Sequence, residues 1–239
     1  MPLEHGLARV RTQVQAAPQN ALLYNLLGSI YVAQRQDSEA ESAFKQAIAL
    51  DENVLVSYFN LAGLYAKNKA YAQAVQQYET VLKTRPNLLQ PYMLLGALHD
   101  LQDKPQQASA YYEKALALSP RFAPAANNLA WNYATHGGNL DRALSLAQTA
   151  REQRPQDPSV ADTLGWLYYK KELYRQALPL FKESVEKLGE NPLVHYHLGM
   201  TYYKIGDANL AKGALQRALQ LRKDFPGAEE AQQILAQLS

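Results

Sequence analysis

Three groups of residues in this 239-residue chain are of types that do chemistry in other settings: His195 with His197, the pair Gly137-Gly138, and the basic and aromatic stretch 168–175. Histidines two apart on a helix point roughly 160° from each other, so they cannot chelate one ion as an i, i+4 pair does. Gly137-Gly138 has no preceding strand and no following Lys-Ser or Lys-Thr, so it reads as a turn between helices and not as a phosphate loop. Tyr168, Lys170, Lys171, Tyr174 and Arg175 could stack single-stranded nucleic acid. One short patch does not make a polyanion surface in a chain with 24 basic and 22 acidic residues and a net charge of +2, so no nucleic acid is expected. Carboxylates lie among cations, as in Lys182, Glu183, Glu186 and Lys187, the pattern of solvated helix faces. There is no cysteine, hence no thiolate site. The expectation is no catalytic residue, no cofactor and no metal, which leaves noncovalent recognition.

The elements that would position recognition residues repeat about every 34 residues. In the clearest unit Tyr92, Leu95, Gly96 and His99 share one face of a first helix, and Ala108, Tyr112 and Ala115 one face of a second that Pro120 ends. Neither helix can bury that face alone, so neighbouring units must stack. The same order of residues divides the chain into units 21–54, 55–88, 89–122, 123–157, 158–191 and 192–225. The fourth fits only with one extra residue in the turn at His136-Gly137-Gly138-Asn139. Residues 3–20 read as a second helix without its first, with Leu7, Val10 and Val14 lacking a partner helix. Residues 226–239 read as a capping helix, rich in Glu and Gln on one side. From this start in mid-repeat the chain is expected to be a fragment or processed form of a longer repeat protein, with a natural cap as the alternative. No run approaches membrane-spanning length, so no direct membrane insertion is expected. A cytoplasmic and an envelope location are not distinguished.

The recurring order of an aromatic, Leu-Gly, Tyr, Ala, an aromatic and Pro resembles the tetratricopeptide repeat over residues 21–225. The resemblance implies an all-α, right-handed superhelical solenoid of antiparallel helix pairs: about six full repeats, an N-terminal half-repeat and a C-terminal capping helix. It also implies first helices that line a concave groove, and no common enzymatic activity. Asn127-Asn128-Leu129-Ala130-Trp131, the Gly137-Gly138 turn and the block Asp162-Thr163-Leu164-Gly165-Trp166-Leu167-Tyr168-Tyr169 are similar to repeats of large bacterial tetratricopeptide proteins, including those linked to exosortase and exopolysaccharide systems.

If positions 4, 7, 8 and 11 of a first helix face the core, positions 2, 5, 9 and 12 face the groove. This gives Leu22, Asn25, Ser29 and Val32 in the first unit, Val56, Phe59, Gly63 and Ala66 in the second, and Gln90, Met93, Ala97 and Asp100 in the third. The fourth contributes Asn127 and Trp131, the fifth Asp162, Trp166 and Tyr169, and the sixth Tyr196, Met200 and Tyr203. Lys170 and Lys204 are next in line, and Asn60 lies beside the groove. Such a run of large apolar side chains suggests a contact surface. Trp131 and Trp166 have an alternative, packing between adjacent repeats, and burial decides it. Asparagines at position 6 are interrupted by Leu26, Leu94, Thr163 and His197, so no continuous amide ladder forms, and Asn25 and Ser29 replace the first Lys and Asn of a chaperone-tail carboxylate clamp. The function expected is a protein-protein interaction adaptor that binds a peptide or helix of a partner. The alternative is a structural module, part of a larger bacterial envelope or exopolysaccharide-system protein, that forms a homo-oligomer through the exposed terminal repeat.

Overall fold

A computed structural model describes residues 2–238, in which fourteen α-helices and no strands are found. They alternate in two roles. The first helices are α2 (Ala21–Ala33), α4 (Leu55–Lys67), α6 (Leu89–Asp100), α8 (Ala123–Thr135), α10 (Pro158–Lys170), α12 (Pro192–Ile205) and α14 (Ala228–Gln237). The second helices are α1 (Pro2–Ala16), α3 (Asp37–Leu50), α5 (Tyr71–Thr84), α7 (Pro105–Leu118), α9 (Leu140–Gln153), α11 (Tyr174–Lys187) and α13 (Ala208–Leu221). This is an all-α repeat fold. It divides into two compact units, Met1–Tyr111 and Tyr112–Ser239, with the division inside α7.

Helix starts are marked by side chains that accept backbone N–H groups. Asn20, Asn139, Asp157, Asn191 and Asp207 each cap the helix that follows. Proline opens α7, α10 and α12, where its missing N–H is not needed. The turn from first to second helix uses one left-handed residue at the interval of the repeat. These are Arg35 (φ 59°), Lys69 (59°), Asp103 (55°), Gly137 (79°), Glu172 (61°) and Gly206 (93°). Four of the six are not glycine, so composition did not mark them. The extra residue of the fourth turn is Gly138, where a Cβ would lie 2.5 Å from the Tyr133 ring. Gly137 therefore supplies the backbone angle and Gly138 the close approach.

Within each helix pair small residues let the two axes come together. Ala40, Ala74, Ala108, Ala143, Ala177 and Ala211 are fully buried. The ring of Phe44 lies over Gly28 and that of Phe181 over Gly165, with added Cβ atoms 2.5 and 2.8 Å from ring carbons. Leu215 takes the same place over Gly199, at 2.7 Å. In unit 1 the core gathers around Phe44, Leu61, Tyr65, Tyr78 and Leu95; in unit 2 it gathers around Leu164, Leu167, Phe181, Met200 and Leu215.

The ends differ from each other. Leu7, Val10 and Val14 were expected to lack a partner, but Val10 is buried in the unit 1 core and Leu7 and Val14 pack against it. The reason is that α1 lies on α2. At the other end α14 packs on α12 and α13 through Ala228, Ala231 and Ile234 and exposes Glu229, Glu230, Gln232 and Gln233. Among the described residues no helix is long and apolar enough to cross a membrane, and no three potential metal ligands come together.

Two stability changes follow from this geometry. Gly165→Ala pushes a methyl group into Phe181 and should lower the unfolding free energy by about 1–3 kcal/mol, measured by urea denaturation. Glu172→Gly should raise it by about 1 kcal/mol, because relief of the left-handed strain is only partly offset by glycine's freedom in the unfolded chain.

Candidate functional site

In two pairs of neighbouring first helices, α2 with α4 and α10 with α12, position 5 of one meets position 6 of the next. In unit 1 the Asn25 carbonyl oxygen accepts from the Asn60 amide at 2.9 Å and from the Ser57 hydroxyl at 3.2 Å. Both amides are thereby engaged in holding α2 to α4. Phe59 is half-buried, its ring 5.6 Å from that of Tyr78, and Met93 is half-buried on α6. The open part of this face is aliphatic: Leu22 is 60%, Leu26 44% and Val56 46% exposed. Gly63 leaves space beside them, with nothing within 4 Å of an added Cβ.

In unit 2 the same register brings Asp162 of α10 to His197 of α12, with the carboxylate oxygen 2.9 Å from Nδ1. His197 is 1% exposed. Its ring stacks on Trp166 at 4.2 Å and is tilted against Phe181, Tyr196 and Trp131 at 5.5, 5.7 and 5.8 Å. Trp166 is sandwiched, with Tyr169 stacked at 4.8 Å and the Lys170 ammonium 5.0 Å from the ring centroid. The Tyr196 hydroxyl donates to Glu230 of α14 at 2.6 Å, and the Phe225 ring meets its edge at 5.8 Å. Burial and the Glu230 carboxylate raise the Tyr196 phenol above its ordinary pKa; burial first, then the Glu230 charge, does the same to Tyr169. The Tyr203 hydroxyl donates to Gln237 at 2.9 Å.

This placement corrects part of the expected partner-facing set. Asp162, Trp166, Tyr196 and Met200 are buried, Trp166 at 7% and Met200 at 1% exposure, so they form the base of the surface and not its open face. Helical spacing gave the direction of each side chain, but the neighbouring first helix covers that direction wherever the side chain is long enough to reach across. Trp131, whose two placements the sequence left open, is half-buried against the unit 2 core. Asn127 is also half-buried, and its side-chain oxygen accepts no hydrogen bond among the described residues. Tyr169 and Tyr203 are half-buried, and Lys170 and Lys204 are exposed. Sequence reasoning did not foresee Phe181, Phe225, Glu230 and Gln237 as neighbours of these residues. Nor did it foresee the exposure of Leu26, which it weighed only as a break in an amide ladder. The 35-residue spacing of Asp162 and His197, and of Asn25 and Asn60, is the signal that would have found the pairing. The ordinary reading of His195 is a packed or capping residue, and its Nε2 lies 2.9 Å from the Gly189 carbonyl oxygen across the preceding turn.

Family models described as tetratricopeptide repeat match residues 21–54, 55–88, 101–167 and 163–229. No curated protein matches the sequence. Solved structures share the fold at low identity. The Cut9-Hcn1 hetero-tetramer of the APC/C superposes with a TM-score of 0.75 and 19% identity, covering 98% of this chain and 46% of that one. This chain thus spans less than half the length of that relative. Pseudomonas aeruginosa pilF gives 0.74 and 18%, covering 92% of this chain and 98% of its own. YrrB, described as a tetratricopeptide protein with an unusual peptide-binding site, gives 0.60 and 20%, covering 77% and 95%.

If Trp166 belongs to the base, Trp166→Ala should cost about 3–5 kcal/mol of stability by urea denaturation. Tyr203→Ala, which loses one hydrogen bond at a half-buried ring, should cost only about 1 kcal/mol.

Proposed function

The chain belongs to the tetratricopeptide repeat family, and from that premise we propose that it is a non-catalytic adaptor holding a peptide or helix of another protein on its first helices. The observation that carries this is the contrast within unit 2. A base of buried, mutually stacked rings around His197 supports a row that stays partly open, Trp131, Tyr169 and Tyr203, with Lys170 and Lys204 at its rim. Aromatic rings on a rigid support lose little conformational freedom when a partner lands on them, which makes them good anchors. The peptide-binding site ascribed to YrrB is in keeping with this reading.

Selection from a random dodecapeptide library displayed on phage, against the immobilised chain, tests it. Enriched peptides are expected to bind the full chain in solution. Tyr203→Ala and, separately, Trp131→Ala should each weaken that binding at least about tenfold while the helical circular dichroism spectrum is retained. Unchanged affinity in both variants would remove the row from the contact.

A further inference from the structure

The two lysines at the rim are used differently from comparable lysines elsewhere. Lys67, at the end of α4, pairs with Asp37 at 3.0 Å, and Lys171, just past α10, pairs with Asp141 at 2.6 Å. In both cases the acid lies 30 residues earlier, at the start of the preceding second helix. The same offset from Lys170 and Lys204 reaches Leu140 and Tyr174, which carry no charge to offer. Lys170 and Lys204 occupy the same position, the thirteenth of their units, on α10 and α12, which pack against each other. Both are exposed, and among the described residues neither forms an ion pair, Lys170 lying over the Trp166 ring. Among the described residues, the Asp162 and Glu230 carboxylates hydrogen-bond His197 and Tyr196 and form no ion pair with either lysine. Two cations on adjacent helices are thus left beside Tyr169 and Tyr203.

We infer that the partner is an acidic segment in extended, polyproline II-like conformation, with two carboxylates one threefold turn apart reaching Lys170 and Lys204 and an apolar residue between them on the tyrosines. This rests on the adaptor reading and adds the chemistry of what is adapted. Packed helices lie about 8–10 Å apart. A polyproline II segment advances about 3.1 Å per residue with three residues per turn, so residues i and i+3 fall on one side about 9 Å apart. A regular β-strand points i and i+3 to opposite sides, and its same-side pair, i and i+2, is about 7 Å apart, shorter than the helix spacing. Charge complementarity at such a rim speeds encounter and selects partners, and it weakens with salt.

The peptides enriched by the library selection read this out. Enrichment of Asp or Glu at i and i+3 around an apolar residue is expected. A synthetic peptide with both acids changed to amides should bind at least about tenfold more weakly, and the Lys170→Glu, Lys204→Glu double variant should lose the acidic peptides and enrich basic ones. Both lysines are exposed, so the variant's urea midpoint should match that of the parent chain. Enriched peptides without acids, or equal binding of the acid and amide peptides, would overturn the inference while leaving the adaptor reading in place. Binding of the acidic peptide unchanged by the charge reversal would overturn the assignment to these two lysines. No enrichment by the parent chain would overturn the adaptor reading, and this inference with it.

Discussion

Close approach of two helices at a small residue is the contact on which the helix pairs depend. Phe44 over Gly28 and Phe181 over Gly165 bring two helices closer than any side chain at the glycine would allow, and Leu215 over Gly199 does it with an aliphatic group. The fully buried alanines along each second helix hold the same approach at another point. Where the first helix carries Ala130, the second carries Ala147 in the place of the ring, and both are fully buried. Close approach is thus kept by trading volume across the contact, as expected of an interior packed to crystal density.

That approach fixes where the next first helix lies. In unit 2 the surface grows out of this constraint: with α10 and α12 set side by side, Asp162 meets His197, and Trp166 slides between His197 and Tyr169. Burial of an Asp and a His together is tolerable because each satisfies the other and the remaining walls are rings. The last helix adds to the base from its far side, since Glu230 and Gln237 hold the hydroxyls of Tyr196 and Tyr203. In unit 1 the corresponding register joins Asn25 to Asn60, and smaller side chains leave leucines and a valine open. One register therefore gives two different faces, aromatic and lysine-rimmed in unit 2, aliphatic in unit 1.

The turns show how far the repeat tolerates departure from its pattern. Arg35, Lys69, Asp103 and Glu172 take the left-handed conformation without being glycine, which costs about 1–2 kcal/mol at each. The helix pairs on either side over-determine the turn, so the strain persists. At the fourth turn an added residue is absorbed because Gly138 can lie against Tyr133, and Asn139 then caps α9 in proper phase.

By itself the sequence determined the alternation of helices, their approximate bounds and the small and aromatic slots of the core, because these follow from periodicity, caps and volume within one repeat. Of the residues it assigned to a groove, Trp131, Tyr169 and Tyr203 are half-buried and Lys170 and Lys204 exposed. Only the tertiary structure decided that Asp162, Trp166, Tyr196 and Met200 are covered, that α1 packs Leu7, Val10 and Val14 against its neighbours, and that Leu26 stays open. The physical reason is one of range. A helical wheel gives the direction of a side chain from its own backbone, whereas burial depends on the neighbouring helix that stands in that direction.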